Sequence, residues 1–122
     1  MNTASTPKSG ENVWIWLIKI LTGPLLFILL GIHLIVNHLL GKEGVLRYAE
    51  VIAYYNNPII PIMEILFLAT VVTHSLTGLR SIILDLKPSR SALKILDLFF
   101  LLAGISAFIY GTRLILIIAA LQ

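Results

Sequence analysis

The chain of 122 residues contains no cysteine. Disulfides, thiolate metal sites and iron–sulfur ligation by this chain are thereby excluded, so any cluster that takes part in its chemistry sits on a partner. Charge is scarce too: Asp, Glu, Lys and Arg make up 12% of the residues, against 58% that are hydrophobic. A soluble domain of this length has too little interior to hide that much apolar surface, which marks an integral membrane protein. The two-residue alternation of a barrel strand is also missing. The leucine-rich runs are continuous, so the spanning form is helical. No short apolar core ahead of a small-residue cleavage site opens the chain. The stretch 1–12, polar and carrying Pro7, Lys8, Ser9 and Gly10, reads as a disordered tail and not a signal peptide.

What is present is three apolar stretches, about 17–40, 59–84 and 93–121, inside one membrane domain over 13–122. Each can cross a hydrocarbon layer of roughly 30 Å at about 1.5 Å per residue, which predicts an all-α protein of three transmembrane helices. The net charge of +3 resides at span ends, a pattern of juxtamembrane anchoring and not of nucleic-acid binding. Lys8 and Lys19 flank the first span and Lys87, Arg90 and Lys94 follow the second, against Lys42 and Arg47 in the first loop. The N-terminus and second loop are therefore expected in the cytoplasm, with Trp14 and Trp16 in the interfacial belt on that side. In the first loop, 41–57, Val45, Tyr48, Ile52 and Tyr55 recur at helical spacing and predict a short helix on the outer membrane surface. Pro58 and Pro61 suit the first turn of the second span, where a missing N–H costs little.

The second span carries the chemistry. At about 100° per residue, Thr70, His74, Thr77, Gly78, Ser81 and Asp85 share one face. Such a stripe is consistent with ordinary membrane packing, in which small residues let helices approach and a histidine hydrogen-bonds across the interface. It is equally consistent with a functional intramembrane histidine. The neighbours favour the second reading: Gly78 leaves room one turn from His74 for a flat macrocycle, Arg80 can neutralise haem propionates, and Asp85 can orient Arg80. Taken alone, Arg80 is also a good snorkelling residue.

The run His74-x3-Gly78-x-Arg80-x4-Asp85 resembles the haem-ligating helix of the cytochrome b anchor subunits of succinate dehydrogenases and fumarate reductases. Ser81 stands where many members carry a second histidine, which touches one propionate contact and not the axial ligand. Lys19-Ile20-Leu21-Thr22-Gly23 is similar to the start of the first helix in that family, Gly31-Ile32-His33 to its end, and Glu64 falls where relatives place an acidic residue. The likeness runs from about Trp14 to Arg113.

Depth separates the histidines. His33 follows Ile20 by 13 residues and His74 follows Ile60 by 14 on a span running the other way. They differ in depth by roughly 10 Å, too much for two axial nitrogens on one iron. Three histidines are also too few for the four axial nitrogens of two bis-imidazole haems, so a partner must contribute. The resemblance implies two homologous anchors, each giving a first-helix histidine to a distal haem and a second-helix histidine to a proximal one. His33 is preferred over His38, which points about 140° away and lies near the outer interface. Arg113 in the third span is read either as an ion pair with Glu64 or as a contact to distal haem propionates.

The resemblance thus implies a non-catalytic anchor and haem b subunit of a succinate:quinone oxidoreductase or quinol:fumarate reductase in the cell membrane. Its implied partners are a second anchor, an iron–sulfur subunit and a flavoprotein, and its implied iron ligands are His74 and His33. Polar groups converging at one depth, Lys19, Thr22, Arg80 and Asp85, suggest a quinone pocket. The rivals are a non-redox membrane assembly or transport subunit, and a quinone-binding anchor without haem.

Overall fold

The computed structural model describes residues 11–39 and 44–121; of the stretch 1–12 read above as a disordered tail, 1–10 lie outside the described residues, while Glu11 and Asn12 are held at the start of the first helix. Helix α1 (Val13–Leu34) starts four residues ahead of the expected 17, because Asn12 caps it by accepting the Trp14 N–H at 3.0 Å and the Trp14-Ile15-Trp16 run extends the apolar stretch. Pro24 interrupts its bonding ladder but not its course. The helix continues into a π turn, Ile35–Leu39. Helix α2 (Tyr48–Tyr55) is the predicted short loop helix, begun where the Arg47 N–H donates to the Glu50 carboxylate at 2.9 Å.

Helix α3 (Ile59–Asp85) opens with Pro58 at its cap and Pro61 in the first turn, where no intrahelical bond is lost. It closes at Leu86 and Lys87, the latter in the left-handed region at φ 51°. Ser89 then accepts the Ala92 N–H at 3.2 Å and starts α4 (Arg90–Ala119). Three spans of 27, 27 and 30 residues result, each long and apolar enough to cross a membrane.

Helix α3 is the central element, packed against α1 on one side and α4 on the other, while α2 touches α3 and α4. Two glycines bring α4 close. A Cβ at Gly104 would lie 2.8 Å from the Leu76 Cδ1 atom, and one at Gly111 2.5 Å from the Leu68 Cδ2 atom. The interior is more polar than the surface. Among the described residues Glu64, Thr70 and Ser81 are buried together with the apolar Leu29 and Phe100, whereas Phe27, Ile62 and Ile95 lie open. Hydrocarbon solvent produces this pattern, since there the polar groups must find each other and the leucines need not hide.

The helix ends define two poles. The N-terminus of α1, the C-terminus of α3 and the N-terminus of α4 form a charged pole with Lys19, Arg80 and Asp97. The opposite pole carries α2, Glu64 and His33.

Candidate functional site

His74 and Ser81 of the polar stripe of α3 face α1, whereas Thr77 lines a groove against α4. The Thr22 hydroxyl donates its single proton to the Ile18 carbonyl at 2.7 Å. Toward His74 Nδ1, 3.0 Å away, Thr22 Oγ1 can therefore only accept. This pairing favours the Nδ1–H tautomer, which leaves Nε2 as the lone-pair nitrogen. Gly23 makes the approach possible, since a Cβ there would already lie 3.4 Å from the His74 Cε1 atom. Gly78, about 40° further round α3, has no neighbour within 4 Å of where its Cβ would be, so the backbone beside His74 is open.

At the opposite pole His33 is built the same way. Its Nδ1 lies 3.1 Å from both carboxylate oxygens of Glu64, and its ring stacks on Phe67 with centroids 4.7 Å apart. Asn37 satisfies its own amide on the His33 carbonyl at 2.8 Å. A carboxylate on Nδ1–H is the usual device for orienting a ligating imidazole and raising the basicity of its other nitrogen. His38 Nδ1 lies 3.2 Å from the Gly44 carbonyl, which can only accept, so the ring donates there. It sits in the π turn, where the i→i+5 ladder shifts its direction from the α-helical arithmetic that set it about 140° from His33.

The charged pole holds two clusters. In the first, Glu11 accepts from Lys19 Nζ at 2.7 Å and from the Ser81 hydroxyl at 2.7 Å, and Lys19 also donates to Ser81. In the second, Arg80 forks onto Asp97 of α4, Nε to Oδ1 at 2.6 Å and Nη2 to Oδ2 at 3.0 Å. The expected orienting partner, Asp85, is corrected by this fork. Five residues along a helix turn a side chain about 140°, which sets Asp85 and Arg80 on different faces of α3. For the same reason Arg80 points about 120° away from His74. It enters a groove of about 690 Å³ between α3 and α4, walled by Thr77, Arg80, Asp97, Phe100 and Gly104 among others, with Ile15 of α1 at its side. Its Nη1 is buried there without a partner. Of the residues expected at a quinone pocket, the groove includes Arg80 but not Lys19, Thr22 or Asp85.

The expected Arg113–Glu64 ion pair does not form. Glu64 is held by His33, and Arg113 lies exposed about 160° around α4 from Gly111, which marks the face toward α3. The Glu64 carboxylate acts on α2 instead. Burial first, then the nearby Glu64, pushes the Tyr54 phenol up to about 12, and the same two causes in the same order raise Tyr55. Glu11, Asp97 and Gly23 were not singled out by sequence as members of these clusters, though Gly23 falls in the basic-x-x-Thr-Gly run. The signal that could have found Glu11 is an acidic residue just ahead of a lysine at the start of an apolar span.

This is a three-span helical membrane anchor with a polar, histidine-bearing interior. The family model described as succinate dehydrogenase/fumarate reductase transmembrane subunit matches residues 3–111, and the chain belongs to that family. It is 33% identical over 108 residues to a succinate dehydrogenase hydrophobic membrane anchor subunit of Archaeoglobus fulgidus, covering 88% of this chain and 92% of the relative. A subunit of the same description from Thermoplasma acidophilum is 30% identical, covering 80% of each chain. The succinate dehydrogenase 2 membrane subunit SdhC of Mycobacterium tuberculosis is 30% identical over 64% of this chain and 57% of its own. No solved structure matches.

Proposed function

We propose that this chain is the haem-ligating anchor of a succinate:quinone oxidoreductase in the cell membrane, its charged pole facing the cytoplasm. The observation that carries the reading is the pair of Nδ1-held imidazoles. In His74 the Thr22 oxygen, and in His33 the Glu64 carboxylate, takes the Nδ1–H and leaves Nε2 as a lone-pair donor. That is the tautomer an iron ligand needs. Among the described residues no three His, Cys, Asp or Glu side chains converge on a metal position. A haem with one axial nitrogen from each of two chains requires no such cluster.

When bound, a bis-histidine haem b supplies one-electron transfer with both axial positions filled. His74 would hold the proximal haem and His33 the distal one, each opposite a histidine of a homologous second anchor. Gly78 leaves the face beside His74 open for a macrocycle, while Ser81 is engaged by Glu11 and Lys19. Arg113, exposed near the far pole, is available to an anionic group such as a distal propionate. The charged pole suits docking of an iron–sulfur protein and its flavoprotein. A quinone fits the groove beside Arg80, whose unpaired Nη1 is a donor for a carbonyl oxygen.

The test is a reduced-minus-oxidised spectrum of the purified complex, followed by replacement of each first-helix histidine. Two b-type components are expected. His33→Ala should abolish the distal one, and His38→Ala should leave both, because His33 alone has a carboxylate on Nδ1 and the greater burial. A spectrum without b-type bands would favour a non-redox assembly subunit or a haem-free quinone anchor, and the reverse mutational pattern would move the ligand to the π turn.

Arg80 gives a second, smaller expectation. It lies six residues, about 9 Å along the axis, from His74. Removing that positive charge favours oxidised iron, so Arg80→Leu should lower the proximal midpoint. At an effective dielectric near 20 the ceiling is about 2 kcal/mol, or about 80 mV for one electron. Screening at the wet pole reduces this to a few tens of millivolts. A raised midpoint in potentiometry would refute the sign of the argument.

A further inference from the structure

The eight residues after Arg113, from Leu114 to Leu121, are all apolar, and Leu114, Leu116, Ile117 and Leu121 among them are about half exposed. Water would oppose such a surface, so hydrocarbon holds it and holds Arg113 with it, six residues or about 9 Å short of the end of α4. A guanidinium at that depth needs a counter-charge. Among the described residues Arg113 has neither an ion pair nor a hydrogen bond. It points about 160° away from the face of α4 that packs on α3, so Glu64 and the polar interior lie on the other side of the helix. What Arg113 faces is a shallow apolar groove of about 490 Å³ along α4, lined by Ile109, Leu116, Ile117 and Ala120 among others. Thr112 lines it too. Thr22, Thr70 and Thr77 each return the hydroxyl proton to a carbonyl one turn back, whereas Thr112 Oγ1 is buried without a partner and keeps its proton to give.

We propose that Arg113 and Thr112 bind the phosphodiester of an anionic phospholipid in the leaflet opposite the charged pole, with an acyl chain lying along the groove. Of the anions open to Arg113 above, a lipid phosphate is the one its direction favours, whether or not the chain carries haem. A guanidinium offers a phosphate two parallel N–H donors, and the Thr112 hydroxyl, turned outward about χ1, adds a third. The apolar wall on either side of Arg113 takes the acyl chain and excludes water from the ion pair. The same chemistry selects the headgroup. In phosphatidylcholine an ammonium on the lipid itself competes for the phosphate, whereas in phosphatidylglycerol the phosphate charge has no partner but Arg113. An arginine that only snorkels to the nearest headgroup has no such preference.

The test uses the whole complex, delipidated in detergent and placed in nanodiscs of phosphatidylcholine with or without phosphatidylglycerol. After extraction and washing, native mass spectrometry should find one more phosphatidylglycerol per anchor in the wild type than in Arg113→Leu. The wild-type thermal midpoint should rise with phosphatidylglycerol, and that of Arg113→Leu should not. Arg113→Lys keeps the charge and loses the fork, and Thr112→Val keeps the shape and loses the hydroxyl. Each should weaken retention about tenfold, the size of one lost hydrogen bond to a charged group. Should Arg113→Leu fail to assemble, these two variants carry the test. Equal retention of phosphatidylglycerol in all the complexes, or equal retention of the two lipids by the wild type, would overturn the site. A shifted midpoint of a b-type haem in Arg113→Leu with lipid retention unaltered would also overturn it, and would give Arg113 to a propionate.

Discussion

Replacing His74 with alanine should remove the haem nearer the charged pole and spare the other. His74 lies near the middle of α3, whereas His33 is close to the opposite end of the bundle beside Glu64, so the two rings serve different depths of the membrane. The shell around His74, Thr22 and Gly23, contains no group that also holds His33. The truncation leaves an apolar gap beside Gly23 and frees the Thr22 oxygen, which keeps its own bond to the Ile18 carbonyl. The helix pair therefore has no new unsatisfied donor, and the fold should persist. Redox titration of the mutant complex should show one b-type component where the wild type has two. Retention of both would remove His74 from the iron, and loss of both would mean that the two depths are not independent.

The distinction between what sequence disclosed and what it hid is a matter of range. The three spans were legible because hydrocarbon demands uninterrupted apolar helices, and the stripe from Thr70 to Ser81 was legible because side chains on one helix follow a fixed rotation. The structure turns His74 and Ser81 of that stripe toward α1, as their polarity required. Partners across helices were not legible. Asp97 is seventeen residues from Arg80 and Glu11 is seventy from Ser81, and neither separation follows a helical period. Asp85 is near Arg80 in sequence, but five residues on one helix turn the two about 140° apart, the same rotation that separates His33 from His38 on a regular helix. The π turn escaped because a change in helical ladder between Ile35 and Leu39 leaves no mark in apolar composition. Arg113 and Glu64 share a membrane depth, which periodicity can estimate, but not a direction, which depends on how α4 is rotated about its axis by Gly104 and Gly111.

Asp97→Leu should be the most damaging change at the charged pole, and a second mutation should repair it. Asp97 supplies both acceptors for the Arg80 fork, and the Arg80 side chain is 11% exposed with Nη1 already lacking a partner. Removing the carboxylate leaves a guanidinium in a low-dielectric groove with no counter-ion opposite it. Breaking a buried ion pair from one side costs about 3–5 kcal/mol. Asp97 itself is 42% exposed, so solvent and screening reduce this to roughly 2–3 kcal/mol. That is enough to lower the yield of assembled complex and its thermal midpoint by several degrees. Arg80→Leu combined with Asp97→Leu removes both charges and puts two leucines against Phe100 and Leu101 in the groove, so stability should return to near the wild-type level. The double mutant removes a positive and a negative charge together, so its proximal midpoint should lie closer to the wild type than that of Arg80→Leu alone. Thermal melts of the four complexes in one detergent give the coupling energy directly. Equal stability of Asp97→Leu and wild type, or a double mutant no better than the single one, would show that the fork contributes nothing to holding α3 against α4.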